Sequence, residues 1–178
     1  MIDDKTLIAR VLTEDDHHAF ATLVKKYQNP IRQFVRRLSG GHHDLAEDVA
    51  QETFLRIYKK LNTFSGQSSF STWAHKIAYN CFLKHKQKAH FQKEVQAFEL
   101  SDFKDTDSSV EKDILIEQLM NNLILSEKTC LTLSISAGMS HQEICEVTSI
   151  PLGTVKSHIN RGKQKLIDII ALSKADKQ

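Results

Sequence analysis

The chain has 178 residues, with 24 Lys or Arg against 22 Asp or Glu, a formal charge of +2 and 40% apolar content. That length allows one domain or two small ones, each with a real core, and so small a net charge leaves any nucleic-acid affinity to local basic patches. There is no membrane-length apolar run, no signal-like start and no CxxC pair among Cys81, Cys130 and Cys145, so a soluble cytoplasmic protein with reduced thiols is expected.

Only two prolines and six glycines interrupt the chain. Its apolar residues recur at helical rather than alternating spacing, which predicts an all-α fold. A short first helix over residues 3–15 buries Leu7, Ile8, Val11 and Leu12. Ala19, Phe20, Leu23, Val24 and Tyr27 carry a second stripe to Asn29-Pro30, where a kink or turn is expected. Ile31, Phe34, Val35 and Leu38 follow, with Arg32, Arg36 and Arg37 on the opposite face, read as a solvated basic surface. Ser39-Gly40-Gly41 ends that helix.

The run Asp44–Leu61 carries acids in its first turns and lysines in its last, matching the helix dipole. Leu45, Val49, Thr53, Ile57 and Leu61 form its core side. Asp48, Gln51, Glu52 and Leu55, spaced i, i+3, i+4, i+7, share the polar face. A leucine there is either an ordinary exposed leucine or the centre of a partner-binding patch, and spacing alone leaves both open.

Phe64 to Trp73 is a Gly/Ser loop between two phenylalanines, with Ser71 as the expected cap of the next helix. That helix begins apolar almost all round and ends basic, with Lys84, Lys86 and Lys88 plus His85 and His90. Aromatics on a loop beside a basic helix suit unstacked bases and a single strand. The alternative is ordinary core, which is preferred for Trp73. From Glu94 to Asp113 seven acids face two lysines, and this stretch is read as a flexible acidic linker. Ile114, Leu115, Leu119, Leu123 and Ile124 restart a helical stripe, and Ser126 is the expected cap of a helix holding Cys130, Leu131 and Leu133.

Ser140 and Glu143 form a capping box for a helix that ends at Thr148-Ser149-Ile150-Pro151. In the next helix Leu152, Val155, Ile159 and Leu166 share one face with Gly162 beside them. Thr154, Ser157, His158, Arg161 and Gln164 lie opposite or beside it. No acid occurs between Val147 and Ile167, whereas Lys156, Arg161, Lys163 and Lys165 do. A buried stripe backed by an acid-free basic stripe is what a helix needs to enter the major groove, and the pair reads as a helix-turn-helix. Two further readings stand beside a DNA reader. One is a dimeric helix-turn-helix regulator. The other is a metal or redox protein using the i, i+4 pairs Cys81/His85 and His141/Cys145, although buried core thiols are the commoner fate. No catalytic motif and no cofactor site is found.

Together these segments resemble the bacterial extracytoplasmic-function (ECF) sigma factors over about residues 17–170. AEDVAQETFLRIYKKL, FSGQSSFSTWAHKIAYN and PLGTVKSHINRGKQKL carry the resemblance, in order and at family spacing. It implies an alternative sigma factor without catalysis of its own. A polymerase- and −10-binding domain is expected over residues 1–92, the linker over 93–112, a −35-binding helix-turn-helix domain over 113–172 and a tail over 173–178. It further implies core RNA polymerase as partner, through its β′ coiled coil and β flap, together with promoter DNA and an anti-sigma factor, with no membrane insertion. By the resemblance, Asp48, Gln51, Glu52 and Leu55 grip polymerase. Phe64 and the loop Gly66, Gln67, Ser68 and Ser69 accept a flipped base. Asn80 reads a base edge, Lys84 and Lys88 meet phosphates, and Thr154, Lys156, Ser157, His158 and Arg161 read the −35 element. Three residues depart from the family pattern: His158 and Tyr79, each where a permanently basic residue is common, and Gly162, where alanine is usual. The glycine should cost about 1 kcal/mol of helix propensity.

Overall fold

A computed structural model describes residues 2–95 and 115–175. Among them the regular structure is helical, in two domains. The proposed linker lies almost wholly outside the described residues.

In the first domain α1 (Asp4–Glu14) is capped by Asp3, whose carboxylate accepts from the Thr6 N–H at 2.7 Å. Asp15 closes it in the left-handed region, and Asp16 at once caps α2 (His17–Leu38) by accepting from His18 and Ala19. The left-handed Asp15 and the N-cap Asp16, directly after α1, therefore set the α1–α2 corner. Helix α2 runs through Pro30 instead of turning there. Pro30 is exposed, while Leu23, Tyr27, Ile31, Phe34 and Val35 keep one buried stripe in phase on either side of it. Burial of that stripe offsets the roughly 3 kcal/mol that an interior proline costs.

Helix α3 (His43–Lys60) continues into a 3₁₀ turn, Leu61–Thr63. Val49, Thr53, Ile57 and Leu61 are buried as expected, and Ala46 and Ala50 join them; Leu45 is only half-buried. Helix α4 (Phe70–Val95) starts two residues earlier than its expected cap allows. The cap is Ser69, whose hydroxyl accepts from the Thr72 N–H at 3.0 Å, whereas Ser71 lies inside the helix. In the first helix Leu12 is 48% exposed, outside the core that the period assigns it.

In the second domain residues 115–120 are helical, followed by α5 (Leu125–Ile135), α6 (His141–Thr148) and α7 (Leu152–Ala175). Leu123, Leu131, Leu133, Ile144, Val147, Val155 and Ile159 form the core; Leu115, Ile124 and Leu152 stay largely exposed. Ser126 does not cap α5: the N-cap is Ile124, with no side-chain bond. The capping box of α6 is complete, and Ser149 turns the chain with φ +58°.

The two domains pack against each other. Arg36 pairs with Glu117 at 2.7 Å, and Arg37 donates to the Ser136 hydroxyl. Arg32 pairs with Glu47 within its own domain. The three arginines read as a solvated face are thus tied down, two of them across the domain boundary. Gly40 and Gly41 both have positive φ, and a Cβ at either would meet Asn121 or Glu117 at under 3 Å. Glycine there serves both the turn and the close approach of the second domain. Helix α4 lies on α6, where Thr72 donates to Glu143 at 2.9 Å.

Candidate nucleic-acid and partner interfaces

Helix α7 buries Val155, Ile159 and Gly162 and leaves Thr154, Lys156, Ser157 and Arg161 exposed; His158 is half-buried. The Ser157 hydroxyl donates back to the Gly153 carbonyl, and an Arg161 guanidinium nitrogen lies 3.4 Å from His158 Nδ1. Lys165 is exposed but paired. Its ammonium donates to both carboxylate oxygens of Glu127, which is 2% exposed, so it neutralises a buried acid on α5. The remaining side is a polar and basic face held out by a packed helix pair, the geometry that enters a major groove.

Helix α4 offers a second such face. Lys76, Asn80, Lys84 and Lys88 fall at i, i+4, i+8 and i+12, are exposed, and form no ion pair with a described residue. No acid occurs from Phe70 through Lys93. At the foot of this face Gly66 turns with φ +72° in open space, Gln67 and Ser69 are exposed, and Ser68 is half-buried. Phe64 is half-buried, with its ring 5.7 Å from Phe70 and 5.3 Å from Trp73. Phe70 is core, whereas Phe64 and Trp73 keep a solvent edge on which a base can stack. Tyr79 faces the other way. It is buried beside Thr129 and Cys130 of α5, and burial pushes its phenol up. The residue departing from the family's basic position therefore lies in the domain contact and not on the exposed stripe.

On α3 the four patch residues separate into two kinds. Asp48, Gln51 and Leu55 project into solvent, Leu55 being 65% exposed. Glu52 is held: it accepts from Arg56 on its own helix and from His85 of α4 at 2.6 Å. Partial burial raises its carboxyl, but the bonds from His85 and Arg56 outweigh that and keep it below the usual range. Gln51 and Leu55 also edge a groove of about 600 Å³ between α2 and α3. Its floor includes Phe20, Val24 and Phe54, with Tyr58 on its wall. Tyr58 packs edge-on to Phe20 at 4.9 Å and donates to Asp15 at 2.9 Å. The sequence reading missed these aromatics. Phe54 directly precedes Leu55 and Tyr58 follows it by three residues, and that cluster is the available signal.

Of the metal-pair alternatives, Cys81 is fully buried and His85 is spent on Glu52; among the described residues no group of three or more ligating side chains could hold a metal ion.

Two family models match the chain: Sigma-70 region 2 over residues 23–91 and Sigma-70 region 4 over residues 113–166. The chain is 32% identical to the ECF RNA polymerase sigma factor SigW of Bacillus subtilis, covering 85% of this chain and 88% of that one. It is 32% identical to the RNA polymerase sigma-H factor of Pseudomonas aeruginosa, with 92% and 91% covered. The chain belongs to the ECF family of RNA polymerase sigma factors. It is an alternative sigma factor that initiates transcription. The ECF sigma-E factor of Haemophilus influenzae is 29% identical, over 93% of this chain and 94% of that one. The fold agrees with the sigma factor CnrH, solved with the cytosolic domain of CnrY, at a TM-score of 0.72, 21% identity and coverage of 95% and 97%. It also agrees with RpoE of Bartonella quintana, solved with the anti-sigma factor NepR, at a TM-score of 0.71, 21% identity and coverage of 85% and 96%. Among the described residues of this sigma factor no helix is long and apolar enough to cross a membrane.

Proposed function

We propose that this sigma factor grips core polymerase through Asp48, Gln51, Glu52 and Leu55, reads the −10 element with α4 and its loop, and reads the −35 element with α7. One observation carries the reading: a single chain presents two exposed, acid-free helical faces on two domains, with a polar-edged apolar groove beside the first. A lone helix-turn-helix regulator would leave the α4 face and the groove without a task.

The roles follow from chemistry. Asn80 offers an amide able to pair with a base edge, and Lys84 and Lys88 track phosphates, which position the protein without specifying sequence. Phe64, with the Gly66–Ser69 loop, takes a base turned out of the stack. Thr154, Lys156, Ser157, His158 and Arg161 face the upstream groove. On the protein side, Leu55 with Phe20, Phe54 and Tyr58 provides an apolar centre bordered by Gln28, Arg32, Glu47 and Gln51, which suits an amphipathic helix such as an arm of the β′ coiled coil. An anti-sigma factor would compete for the same groove. The exposed Ile167 and Leu172 at the end of α7 offer an apolar surface suited to the β flap.

The reading also requires the domains to part. Elements named −35 and −10 lie about 25 base pairs apart, about 85 Å of duplex. Helix α4 is about 39 Å long, and the second domain is packed against its first turns. The connection over residues 96–114 reaches roughly 65 Å when fully extended, enough to span the gap with the domains themselves.

The test is affinity for core polymerase. Asp48→Arg together with Leu55→Arg should weaken binding at least a hundredfold while the variant keeps its thermal unfolding midpoint, since both side chains are exposed. Undiminished binding would remove α3 as the interface.

A further inference from the structure

We propose that His85 is a positioning residue for polymerase binding: reaching from the DNA-tracking helix α4, it fixes the rotamer of Glu52 in the polymerase-gripping patch of α3. This rests on the assignment of Glu52 to that patch.

The geometry is a carboxylate held from two sides. Arg56, one turn further along α3, takes Oε1, and His85 Nε2 lies 2.6 Å from Oε2. An ionised carboxylate only accepts, so Nε2 carries the proton and donates. The two donors approach from different helices. Arg56 alone would let the carboxylate swing along the surface of α3, as an i, i+4 pair does. The bond from α4 closes that freedom. Glu52 and His85 keep 32% and 31% of their side-chain surface exposed. The carboxylate thus has unfilled lone pairs facing solvent, and the pair is too open to serve mainly as a core strut.

The consequence is energetic. A free glutamate loses rotamer freedom when a partner orders it, and one held in place has lost it on folding. The ordering of one such side chain corresponds to about two- to twelvefold in affinity. That is the effect expected from His85, which touches no polymerase itself. The sequence offers no hint of it, because residues 52 and 85 belong to different helices and His85 sits among lysines that draw the reading toward DNA.

The experiment is a double-mutant cycle in the equilibrium affinity of the full-length sigma factor for core polymerase, without DNA. The variants are His85→Ala, Glu52→Ala, the double variant and His85→Gln. Positioning predicts that His85→Ala weakens binding about two- to twelvefold. It predicts that the double variant is no weaker than Glu52→Ala alone, and that His85→Gln, whose amide N–H reaches about as far as Nε2, restores most of the loss. Rescue by glutamine and the missing additivity are outcomes that a general loosening of the α3–α4 packing would not give. If Glu52→Ala weakens binding and His85→Ala does not, the positioning role is overturned while the patch stands. Additive losses would also overturn it, by showing that His85 acts without Glu52. If Glu52→Ala leaves affinity unchanged, the patch assignment of Glu52 itself fails, and the inference with it.

Discussion

Gly162 offers the sharpest test of the packing. It lies in the middle of α7, is buried, and departs from the alanine usual in the family. A Cβ built on it meets Glu127 Cβ at 3.6 Å, a Leu131 methyl at 3.6 Å and a Leu123 methyl at 3.7 Å. These are ordinary van der Waals contacts, so Gly162→Ala fills space without pushing α5 away. The helix gains about 1 kcal/mol in propensity, and a buried methyl adds up to about 0.8 kcal/mol. The midpoint should rise about 2–4 °C per kcal/mol if both domains melt together, and about 4–8 °C if the second melts alone. Gly153→Ala, where a Cβ meets nothing, serves as the propensity-only comparison. Calorimetry of the three proteins is the assay. A midpoint for Gly162→Ala at or below that of the parent would refute the reasoning, because it would require α5 and α7 to approach more closely than these distances allow. Affinity for −35 DNA should not change, since Gly162 faces α5.

Two further outcomes follow. His75 is 1% exposed, packs edge-on to Phe34 at 5.2 Å, and burial pulls its imidazole below the ordinary range. Because the folded protein then resists protonation, its contribution is complete above the unfolded value of about 6.5 and is lost as pH falls below it, at up to about 1.4 kcal/mol per pH unit. Urea unfolding at pH 7.5 and 5.5 should show that loss, and His75→Gln should flatten it; an equal slope in the variant would count against His75. Tyr79→Ala removes a buried ring from the contact between α4 and α5, so small-angle scattering should show a larger radius of gyration with helical content retained. An unchanged radius would mean that the arginine and threonine contacts alone hold the domains together.

What the sequence revealed was helices and their faces, and what it concealed was pairing. Periodicity gave Val49, Thr53, Ile57 and Leu61 as core, and Val155 and Ile159 likewise, because a 3.6-residue repeat reports directly which side of a helix is dry. The Ser140–Glu143 box was legible because both partners are three residues apart. Ser69 lost out to Ser71 because either serine has the chemistry of a cap, and only the backbone says where the helix begins. Arg36, Arg37 and Lys165 were read as free cations, since their partners Glu117, Ser136 and Glu127 are remote in the chain or on another helix. The same limit hid the groove. Leu55 stood out as an apolar residue on a polar face, but its aromatic surroundings come half from α2.

The domain contact carries polar bonds beside its apolar packing, and these bonds bear on function. Buried aliphatic and aromatic side chains fill the interior on both sides of that contact. The contact combines this apolar packing with the bonds Arg36–Glu117, Arg37–Ser136 and Thr72–Glu143 and the half-polar ring of Tyr79. Within-chain interfaces that include such polar bonds resemble transient protein interfaces. Glu143 illustrates the economy of the arrangement. Bonds from Ser140 hold its carboxyl below the usual range, and they also complete the capping box whether or not Thr72 is present. Parting the domains removes the Thr72 bond and leaves the cap intact. Under the proposed function the two readers lie close together in the free chain and far apart on a promoter, and bonds of that sort suit it: water can replace them, and the helices that carry them keep their own caps.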